Sequence, residues 1–429
     1  MDPIHVALGV VDMAQHGRFT DIEALFAPPL RDVVSADTLH AAWSSERSRI
    51  GPATAVGEPT CEATGSDLVR VSVPVTGERG EHTVVMSVDD TGRLHGLRLA
   101  PSVAGGVDGG WTPPRYARPH RFAERAISLG SGQRAVGGTL TLPRRGARWP
   151  GVVLLAGGGP FDRDQTVGPN KPLKDLAWGL ASRGVAVARF DKVTHVHPDV
   201  ATAPGFTMVE EYVPHALAAI DLLRRQPGVD RVFVLGHSAG GRTAPRVAAA
   251  DPSVAGVIIL AGDAAPLSRA AVRTARHVAT VDPAAATQAP LDLLTRQAAL
   301  VESPDLSPGT ATADLPFGWP ASYWLDLRGY DQVATAAALD RPILILQGRR
   351  DYQVTVDDDL ALWRAGLAHR QDVTIRVYDT ADHFFFRGEG PSAPADHNTA
   401  HHVDPDVVAG IAEWLVPRTG ITARLRRRT

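Results

Sequence analysis

The 429-residue sequence has a single cysteine, Cys61, only three lysines, and no long run of apolar residues. One cysteine excludes an intrachain disulfide, a zinc-finger framework and a redox pair of thiols. No stretch approaches the roughly 18 apolar residues of a membrane-spanning helix. The first residues carry Asp2 and no basic region, so they do not read as a secretory signal. We therefore expect a cytoplasmic protein with no membrane partner.

The charge and composition narrow the class of protein further. The formal net charge is −3, so the sequence has no global basic field, which argues against nucleic-acid binding. Hydrophobic residues make up 44% and charged residues 21%, which excludes a disordered or fibrous chain. The 16 histidines could serve catalysis or bind metal. The pair His195 and His197 has strand spacing, but no third ligand is evident, so we predict neither a metal nor a cofactor.

The length predicts two or three domains. Residues 1–100 show helical periodicity followed by alternating segments, which predicts a small α+β accessory domain. Residues 101–118 are rich in glycine and proline and are the best candidate for a linker. Residues 119–429 then form a larger catalytic domain.

Short, continuously apolar segments alternate with helical segments from about residue 120 onwards. Such runs are typical of strands that are buried on both faces of a parallel sheet. The pattern predicts an α/β class protein with a doubly wound, mostly parallel sheet and right-handed crossovers. The interval 264–340 breaks the alternation, and we interpret it as an inserted helical cap. The predicted strands are Arg125–Leu129, Gly137–Leu142, Val152–Leu155, Val185–Phe190, Val232–Leu235, Val257–Leu260, Ile343–Leu346 and Val373–Tyr378; the predicted helices are Leu173–Ser182, Val209–Arg225, Ala239–Ala250, Asp357–Ala368 and Asp406–Leu415.

The sharpest motif is Gly236-His237-Ser238-Ala239-Gly240, at the junction of a predicted strand and a predicted helix. A serine on such a tight turn projects its hydroxyl above the sheet, and glycines two positions away avoid collisions with neighbouring backbone. We predict that Ser238 is a nucleophile. The backbone N–H of Ala239 begins the helix and faces developing negative charge.

A serine hydroxyl needs a base to take its proton. On this type of fold the acid and the histidine follow the serine along the chain, in that order. Asp351 follows the strand Ile343–Leu346 and His383 follows the strand Val373–Tyr378, so we predict a triad of Ser238, His383 and Asp351. Asp263 is an alternative acid. Asp382 is interpreted as structural, and we place three later histidines at the surface: His397, His401 and His402.

The loop after the strand Val152–Leu155 carries three consecutive glycines, Gly157 to Gly159. Glycines let the backbone approach a ligand and direct N–H groups towards it. We predict that Gly158, or else Gly159, supplies the second N–H of an oxyanion hole. A phosphate-binding loop is the alternative, but the lysine and hydroxyl of that motif are missing.

Aromatic residues indicate where a substrate would bind. Phe161 follows the glycine loop, and the predicted cap contains Tyr323 and Trp324 among five aromatic residues. This density favours an apolar or aromatic small molecule, and we predict that these three residues contact the substrate. The alternative is that the cap aromatics form the core of the cap itself. The charged residues 162–164 are interpreted as a mutual structural network.

These motifs together resemble the α/β-hydrolase superfamily, in the bacterial branch of dienelactone hydrolases and acyl-aminoacyl-peptidase-like esterases. The resemblance spans residues 120–418. Two positions depart from it: Ala156 stands where a histidine is common, and Val193-Thr194 follows Asp191-Lys192 where Arg-Gly is common. The first 100 residues resemble a domain of unknown function that precedes such hydrolases.

The resemblance and the triad imply a serine hydrolase that cleaves a carboxylic ester, lactone or thioester through an acyl-enzyme on Ser238. The alternative is an acyltransferase, cyclase or lyase of secondary metabolism that uses the same site. A non-catalytic binding protein on this fold is a third hypothesis, against which the intact triad argues. A small-molecule acyl substrate is the expected partner, and a homodimer is compatible with the sequence.

Overall fold

The computed structural model describes residues 2–31, 34–64, 68–78, 80–101, 111–146, 148–281 and 288–416. The chain divides into two compact units, one of residues 1–110 with 271–321 and the other of residues 111–270 with 322–429. Half of the predicted linker, residues 102–110, lies outside the described residues. None of the described helices is long and apolar enough to cross a lipid bilayer.

The first unit packs amphipathic helices on one face of an antiparallel sheet. Buried residues recur with helical spacing in the first helix, at Val6, Val10 and Val11. They alternate in the strand Leu68–Gly77, at Val71 and Val73. They share one apolar core. The helices of this core are α1 (Pro3–Gln15), α2 (Phe19–Ala24), α3 (Pro28–Arg31) and α4 (Ala36–Ile50), and the strands of the sheet are β1 (Ala53–Val56), β2 (Thr60–Thr64), β3 (Leu68–Gly77), β4 (Gly80–Asp89) and β5 (Leu94–Pro101). The helix α10 (Gln288–Glu302) belongs to the same unit. The sequence patterns did not predict β1 and β2, and β1 is exposed along its whole length.

The second unit contains the α/β sheet that the sequence predicts. Among the described residues this sheet has eight strands, in the order β13-β12-β11-β10-β8-β9-β7-β6. All neighbours are parallel except β6 with β7 and β7 with β9. The strands are β6 (Phe122–Leu129), β7 (Val136–Pro143), β8 (Trp149–Leu155), β9 (Ala186–Phe190), β10 (Val229–His237), β11 (Val254–Leu260), β12 (Ile343–Gly348) and β13 (Val373–Tyr378). The predicted fold class is therefore confirmed.

Helices cover both faces of this sheet, which explains why its strands are continuously apolar. Val152 and Leu154 of β8 share a core with two helices on one face, whereas two others contact β8 and β10 on the opposite face. The first pair is α5 (Pro172–Ala181) and α14 (Pro405–Leu415), and the second is α7 (Met208–Arg224) and α8 (Ala239–Ala250). The remaining helices of this unit are α6 (Val193–Val196), α11 (Ala321–Gly329), α12 (Gln332–Ala338) and α13 (Ala361–Gly366). The helix α9 (Leu267–Val281) begins in this unit, but most of its residues are assigned to the first.

The register of the parallel strands brings their carboxyl ends to one edge. Gly236 of β10 pairs with Leu155 of β8, and His237 pairs with Leu260 of β11. On the next strands Gly348 pairs with Tyr378. The loops after these strands therefore emerge side by side, at the edge where open α/β sheets bind their ligands.

Asp359 connects two of these loops through its buried carboxylate. One oxygen accepts the N–H groups of Ala264 and Ala265, each at 3.0 Å, and the other accepts the N–H of Thr355 at 3.0 Å. Asp359 lies in a single π turn, Val356–Leu360, that precedes α13. The helix predicted over 357–368 thus begins as this turn, which links the segment after β11 to the segment after β12.

We expect Asp359→Ala to lower the free energy of unfolding by at least about 3 kcal/mol, because it leaves three backbone N–H groups without their acceptor. Urea unfolding followed by circular dichroism measures the change. Asp357→Ala is the matched control, since Asp357 is an exposed carboxylate in the same turn and should change the value by less than about 0.5 kcal/mol. Equal effects of the two substitutions would contradict the assignment.

Candidate active site

Ser238 lies on a strained turn between β10 and α8. Its backbone angles are φ 55° and ψ −122°, a region that residues with a side chain rarely adopt. A Cβ atom on Gly236 would lie 2.0 Å from the Gly240 oxygen, and a Cβ on Gly240 would lie 2.5 Å from the Leu155 oxygen. The turn therefore admits only glycine at both positions, and the half-buried Ser238 is held where β8 and β10 end.

Asp351 and His383 meet at the same edge of the sheet. The Nδ1 atom of His383 donates to Asp351 Oδ2 over 2.8 Å, and both side chains are almost fully buried. The other carboxylate oxygen accepts the N–H groups of Gln353 and Val354, at 2.8 and 2.9 Å. These bonds fix the carboxylate, and the bond to Nδ1 leaves Nε2 of a neutral His383 as a proton acceptor.

Two opposing effects set the pKa of His383. Burial by itself lowers it, because the interior disfavours the imidazolium ion. The Asp351 carboxylate opposes this through its charge and its hydrogen bond, with a smaller contribution from Asp382, and the net pKa of His383 is raised above its ordinary value. An ion pair of this kind stabilises the protonated histidine that forms when a base takes a proton.

The other acidic residues near this edge have different partners. Asp263, the alternative acid, pairs with Arg242 of α8 at 2.6 Å. Asp382 accepts the N–H groups of Phe384 and Phe386, each at 2.9 Å, so it shapes the loop that carries His383. The geometry therefore favours Asp351 over Asp263 as the partner of His383.

The glycine loop after β8 lies against the turn that carries Ser238. A Cβ on Gly157 would lie 3.3 Å from Ser238 Cβ, and a Cβ on Gly158 would lie 3.7 Å from Ala239 Cβ. Both distances are those of atoms in direct contact. The structure thus brings the two predicted donors of the oxyanion hole, Gly158 and Ala239, next to each other and next to Ser238.

A buried chain of hydrogen bonds connects the glycine loop to His383 through His237. The Gly157 N–H donates to Gln165 Oε1 at 3.0 Å, and Gln165 Nε2 contacts His237 Nδ1 at 2.8 Å. The Nε2 atom of His237 is 2.8 Å from the His383 carbonyl oxygen, which can only accept. His237 therefore carries its proton on Nε2 and accepts from Gln165 at Nδ1. Burial, with the proximity of His383, lowers the pKa of His237 to about 3 and keeps it neutral.

Two of the three predicted substrate contacts are buried inside the protein, and the third is half-buried. Phe161 is half-buried beside the glycine loop, with its ring 3.5 Å from the Cβ position of Gly159. Tyr323 is 5% exposed and donates its hydroxyl to Glu211 at 2.5 Å, and Trp324 is 1% exposed. Their contact with a substrate stays a prediction.

The charged residues after the glycine loop make structural contacts, but their hydrogen-bond and ion-pair partners lie outside residues 162–164, so the predicted mutual network is wrong in its pairing. Arg163 makes three hydrogen bonds to Asp191, two from its guanidinium group and one from its backbone N–H. Asp164 pairs with Arg189 at 2.8 Å and with Lys171 at 3.3 Å. These contacts brace the loop from the side of β9. Burial opposes the charge of Arg163, but Asp191 raises its pKa above the ordinary value.

Several histidines outside the candidate triad make structural contacts. His195 and His197 each bond a backbone carbonyl, and no cluster of possible metal ligands occurs within the described part of the chain. The predicted surface position of His397 is wrong: it is 7% exposed, because its ring packs on Phe384 and its Nε2 pairs with Asp382. His401 and His402 are half-buried rather than exposed.

Several residues of the site escaped the sequence reasoning. His237 occupies the unspecified position of the serine motif, and Gln165 belongs to no recognisable pattern. Lys192 and Tyr212 both donate to the Gly157 carbonyl oxygen, at 2.9 and 2.8 Å. The one sequence signal for Lys192 is that it belongs to the pair Asp191-Lys192, which follows β9.

We expect Gly236→Ala to lower the free energy of unfolding by more than about 3 kcal/mol, because the added methyl group overlaps the backbone of Gly240. Thermal unfolding and the yield of soluble protein measure the effect. Gly329→Ala is the control, since nothing lies within 4 Å of a Cβ there, and it should preserve or slightly raise stability. A Gly236→Ala protein as stable as the wild type would contradict the packing at the turn.

Comparison with known proteins identifies the family. The model of the family described as "Serine aminopeptidase, S33" matches residues 171–389. Esterase EstD of Thermotoga maritima is 33% identical over 339 residues, which are 79% of this chain and 77% of that protein. Among solved structures, Est1E from Butyrivibrio proteoclasticus is 15% identical over 67% of this chain and 96% of its own, with a TM-score of 0.43. The Pyrococcus horikoshii acylaminoacyl peptidase is 14% identical over 87% of this chain and 58% of its own, with a TM-score of 0.45.

The family match covers half of the chain, and the similarity to the Thermotoga esterase extends beyond it. The resemblance inferred from the sequence motifs is thereby confirmed. The chain belongs to the serine aminopeptidase S33 family of α/β hydrolases and is a serine hydrolase.

Proposed function

We propose that the protein hydrolyses a carboxylic ester, lactone or thioester of a small molecule, with Ser238, His383 and Asp351 as the catalytic triad. The observation that carries this proposal is the convergence of three elements at one sheet edge. They are a serine on a strained turn, a glycine loop in contact with it, and a buried histidine bonded to a carboxylate. The esterase activity named for the Thermotoga relative supports the choice of substrate class.

The first half of the reaction forms an acyl-enzyme. Nε2 of His383 takes the Ser238 proton as Oγ forms a bond to the acyl carbon, and the carbonyl electron pair moves to its oxygen. The N–H groups of Gly158 and Ala239 stabilise this oxyanion. The carbonyl then re-forms, the bond to the leaving group breaks, and the leaving group takes the proton from His383.

The second half repeats these steps with water. His383 takes a proton from a water molecule as the water oxygen attacks the acyl carbon. The bond between the acyl carbon and Ser238 Oγ then breaks. Ser238 recovers its proton from His383, and the carboxylic acid leaves. Asp351 holds the tautomer with a proton on Nδ1 and stabilises the imidazolium ion in both halves.

Phe161 is the predicted substrate contact that the geometry supports best. Its half-buried ring lies beside the glycine loop, where it would flank the acyl group of a bound ester. An aromatic wall at this position favours an apolar acyl chain or an aromatic acid. Tyr323 and Trp324 would contribute only if the buried aromatic cluster opened toward a ligand.

Ser238→Ala should abolish hydrolysis of p-nitrophenyl butyrate, with a fall in kcat of about 10⁴-fold or more. Wild-type protein should also take up one fluorophosphonate, located on Ser238 by peptide mass spectrometry. Ser253→Ala is the matched control, because Ser253 precedes β11 at the opposite edge of the sheet. Full turnover by Ser238→Ala, or a label on another residue, would refute the triad.

The acidic limb of the pH profile should report the pKa of His383. Because His383 must be neutral to act as a base, kcat/KM falls as the pH drops through its raised pKa. In Asp351→Asn the attraction of the carboxylate is lost while burial remains, so the acidic limb moves to lower pH. The same change favours the wrong tautomer, so kcat falls by about 10⁴-fold.

The control for this profile is Asp379→Asn, which neutralises an exposed carboxylate on the segment between β13 and His383. It should keep the wild-type profile and rate. A profile for Asp351→Asn that matches the wild type would show that another group holds His383.

A further inference from the structure

The carbonyl group of Gly157 has two buried donors. It accepts from the ammonium group of Lys192 at 2.9 Å and from the hydroxyl of Tyr212 at 2.8 Å. Lys192 also donates to that hydroxyl at 2.8 Å, so the three groups form a closed triangle. With its N–H bonded to Gln165, Gly157 is held on both sides.

The direction of this carbonyl determines the direction of the Gly158 N–H. The two groups belong to one planar trans peptide unit, in which C=O and N–H point in opposite directions. Donors that hold the Gly157 oxygen on one side therefore direct the Gly158 N–H to the other. That N–H belongs to the residue whose Cβ position lies 3.7 Å from Ala239 Cβ, and Ala239 is the other proposed donor.

The ammonium group of Lys192 also makes the Gly158 N–H a stronger hydrogen-bond donor. A cation bonded to a carbonyl oxygen polarises the peptide unit, and hydrogen bonds in such a chain strengthen one another. Because the group is buried, water screens its charge only weakly. The Gly158 N–H therefore becomes a better donor to an oxyanion than an isolated peptide would be.

Lys192 is built into this position at a considerable energetic cost. Its side chain is 2% exposed, and a buried lysine is rare unless it is paired. The Glu211 carboxylate lies 2.9 Å from the ammonium group, and Thr194 and Tyr323 donate to that carboxylate in turn. All three ammonium protons thus have a partner in Gly157, Tyr212 and Glu211.

The chemistry of the side chain suits this position. The three partners are a carbonyl, a hydroxyl and a carboxylate in different directions, which a compact ammonium group with rotatable donors can satisfy. The planar fork of arginine would suit a single carboxylate instead. In a chain with 44 basic residues of which three are lysine, this site holds one of the three.

We propose that Lys192, with Tyr212 and the counter-ion Glu211, is a positioning group for the oxyanion hole that orients and polarises the Gly157–Gly158 peptide. The proposal rests on the proposed function, because it assigns Gly158 to the oxyanion. It predicts a loss of stabilisation in the transition state without a loss of substrate binding.

The test uses full-length variants that keep the charge of the cluster balanced. Lys192→Met with Glu211→Gln removes the ammonium group without leaving a buried carboxylate unpaired, and Tyr212→Phe removes one donor alone. The double variant should lower kcat for p-nitrophenyl butyrate by about 100-fold, and Tyr212→Phe by about 10-fold, with KM nearly unchanged. Circular dichroism and thermal unfolding establish that each variant is folded.

Phenylboronic acid provides a second readout that does not need turnover. Its boron forms a bond to Ser238 Oγ, whose proton passes to His383, and one boronate oxygen occupies the oxyanion position. Its affinity, measured by tryptophan fluorescence, should fall in each variant by about the same factor as kcat. Lys174→Met is the matched control, since the ammonium group of this lysine lies 4.2 Å from the ring centre of Trp111, away from Gly157, and it should keep kcat and boronate affinity.

The outcomes separate this inference from the function it rests on. If Ser238→Ala retains turnover, or the wild type binds no boronate, the proposed function fails. If Ser238→Ala is inactive but either folded Lys192 or Tyr212 variant keeps wild-type kcat and boronate affinity, the positioning role fails. A higher KM with unchanged kcat would assign the cluster to substrate binding and would also overturn it. If the double variant does not fold, Tyr212→Phe alone decides.

Discussion

The candidate site depends on one close backbone contact, in which Gly236 and Gly240 meet at the turn between β10 and α8. The same Gly240 lies against the carbonyl oxygens at the end of β8. The packing at Gly240 therefore joins the turn that carries Ser238 to the sheet and to the glycine loop. Ser238 keeps its disfavoured backbone conformation because these neighbours leave no relaxed alternative. Strain at the serine is thus supported by packing in the surrounding sheet.

Polar groups buried around this contact do what apolar packing cannot, because they fix directions as well as positions. Gln165 and His237 connect the glycine loop to the His383 backbone, and Lys192 and Tyr212 hold the same loop from its other side. An unpaired polar group would destabilise the interior, but each of these groups has hydrogen-bond partners. The satisfied network makes the loop rigid. The folded structure therefore fixes the orientation of the backbone dipoles of the glycine loop before a substrate binds.

The fold of the second unit could be predicted almost completely, since apolar runs and helical periods report burial on both faces of a sheet. Ser238, Asp351 and His383 could be proposed because chain order and strand ends determine where their loops emerge. Gln165 and Lys192 could not be assigned roles, because each acts on the glycine loop through a backbone atom of Gly157. A sequence does not show which backbone atom a side chain will reach. His397 was misplaced for a related reason: a polar residue late in the chain looks exposed until its partner, Asp382, is known. The edge strand β1 is exposed along its length, so it carries no hydrophobic pattern to detect.

The path from Gly157 through Gln165 and His237 to the His383 carbonyl has a mechanical consequence. It joins the glycine loop to the loop that carries His383, so a displacement of one loop is transmitted to the other. Phe161 has no side-chain hydrogen bond that could tie it to this path. A change in the size or shape of this side chain can therefore alter the space beside the glycine loop while the hydrogen bonds between the two loops keep their lengths.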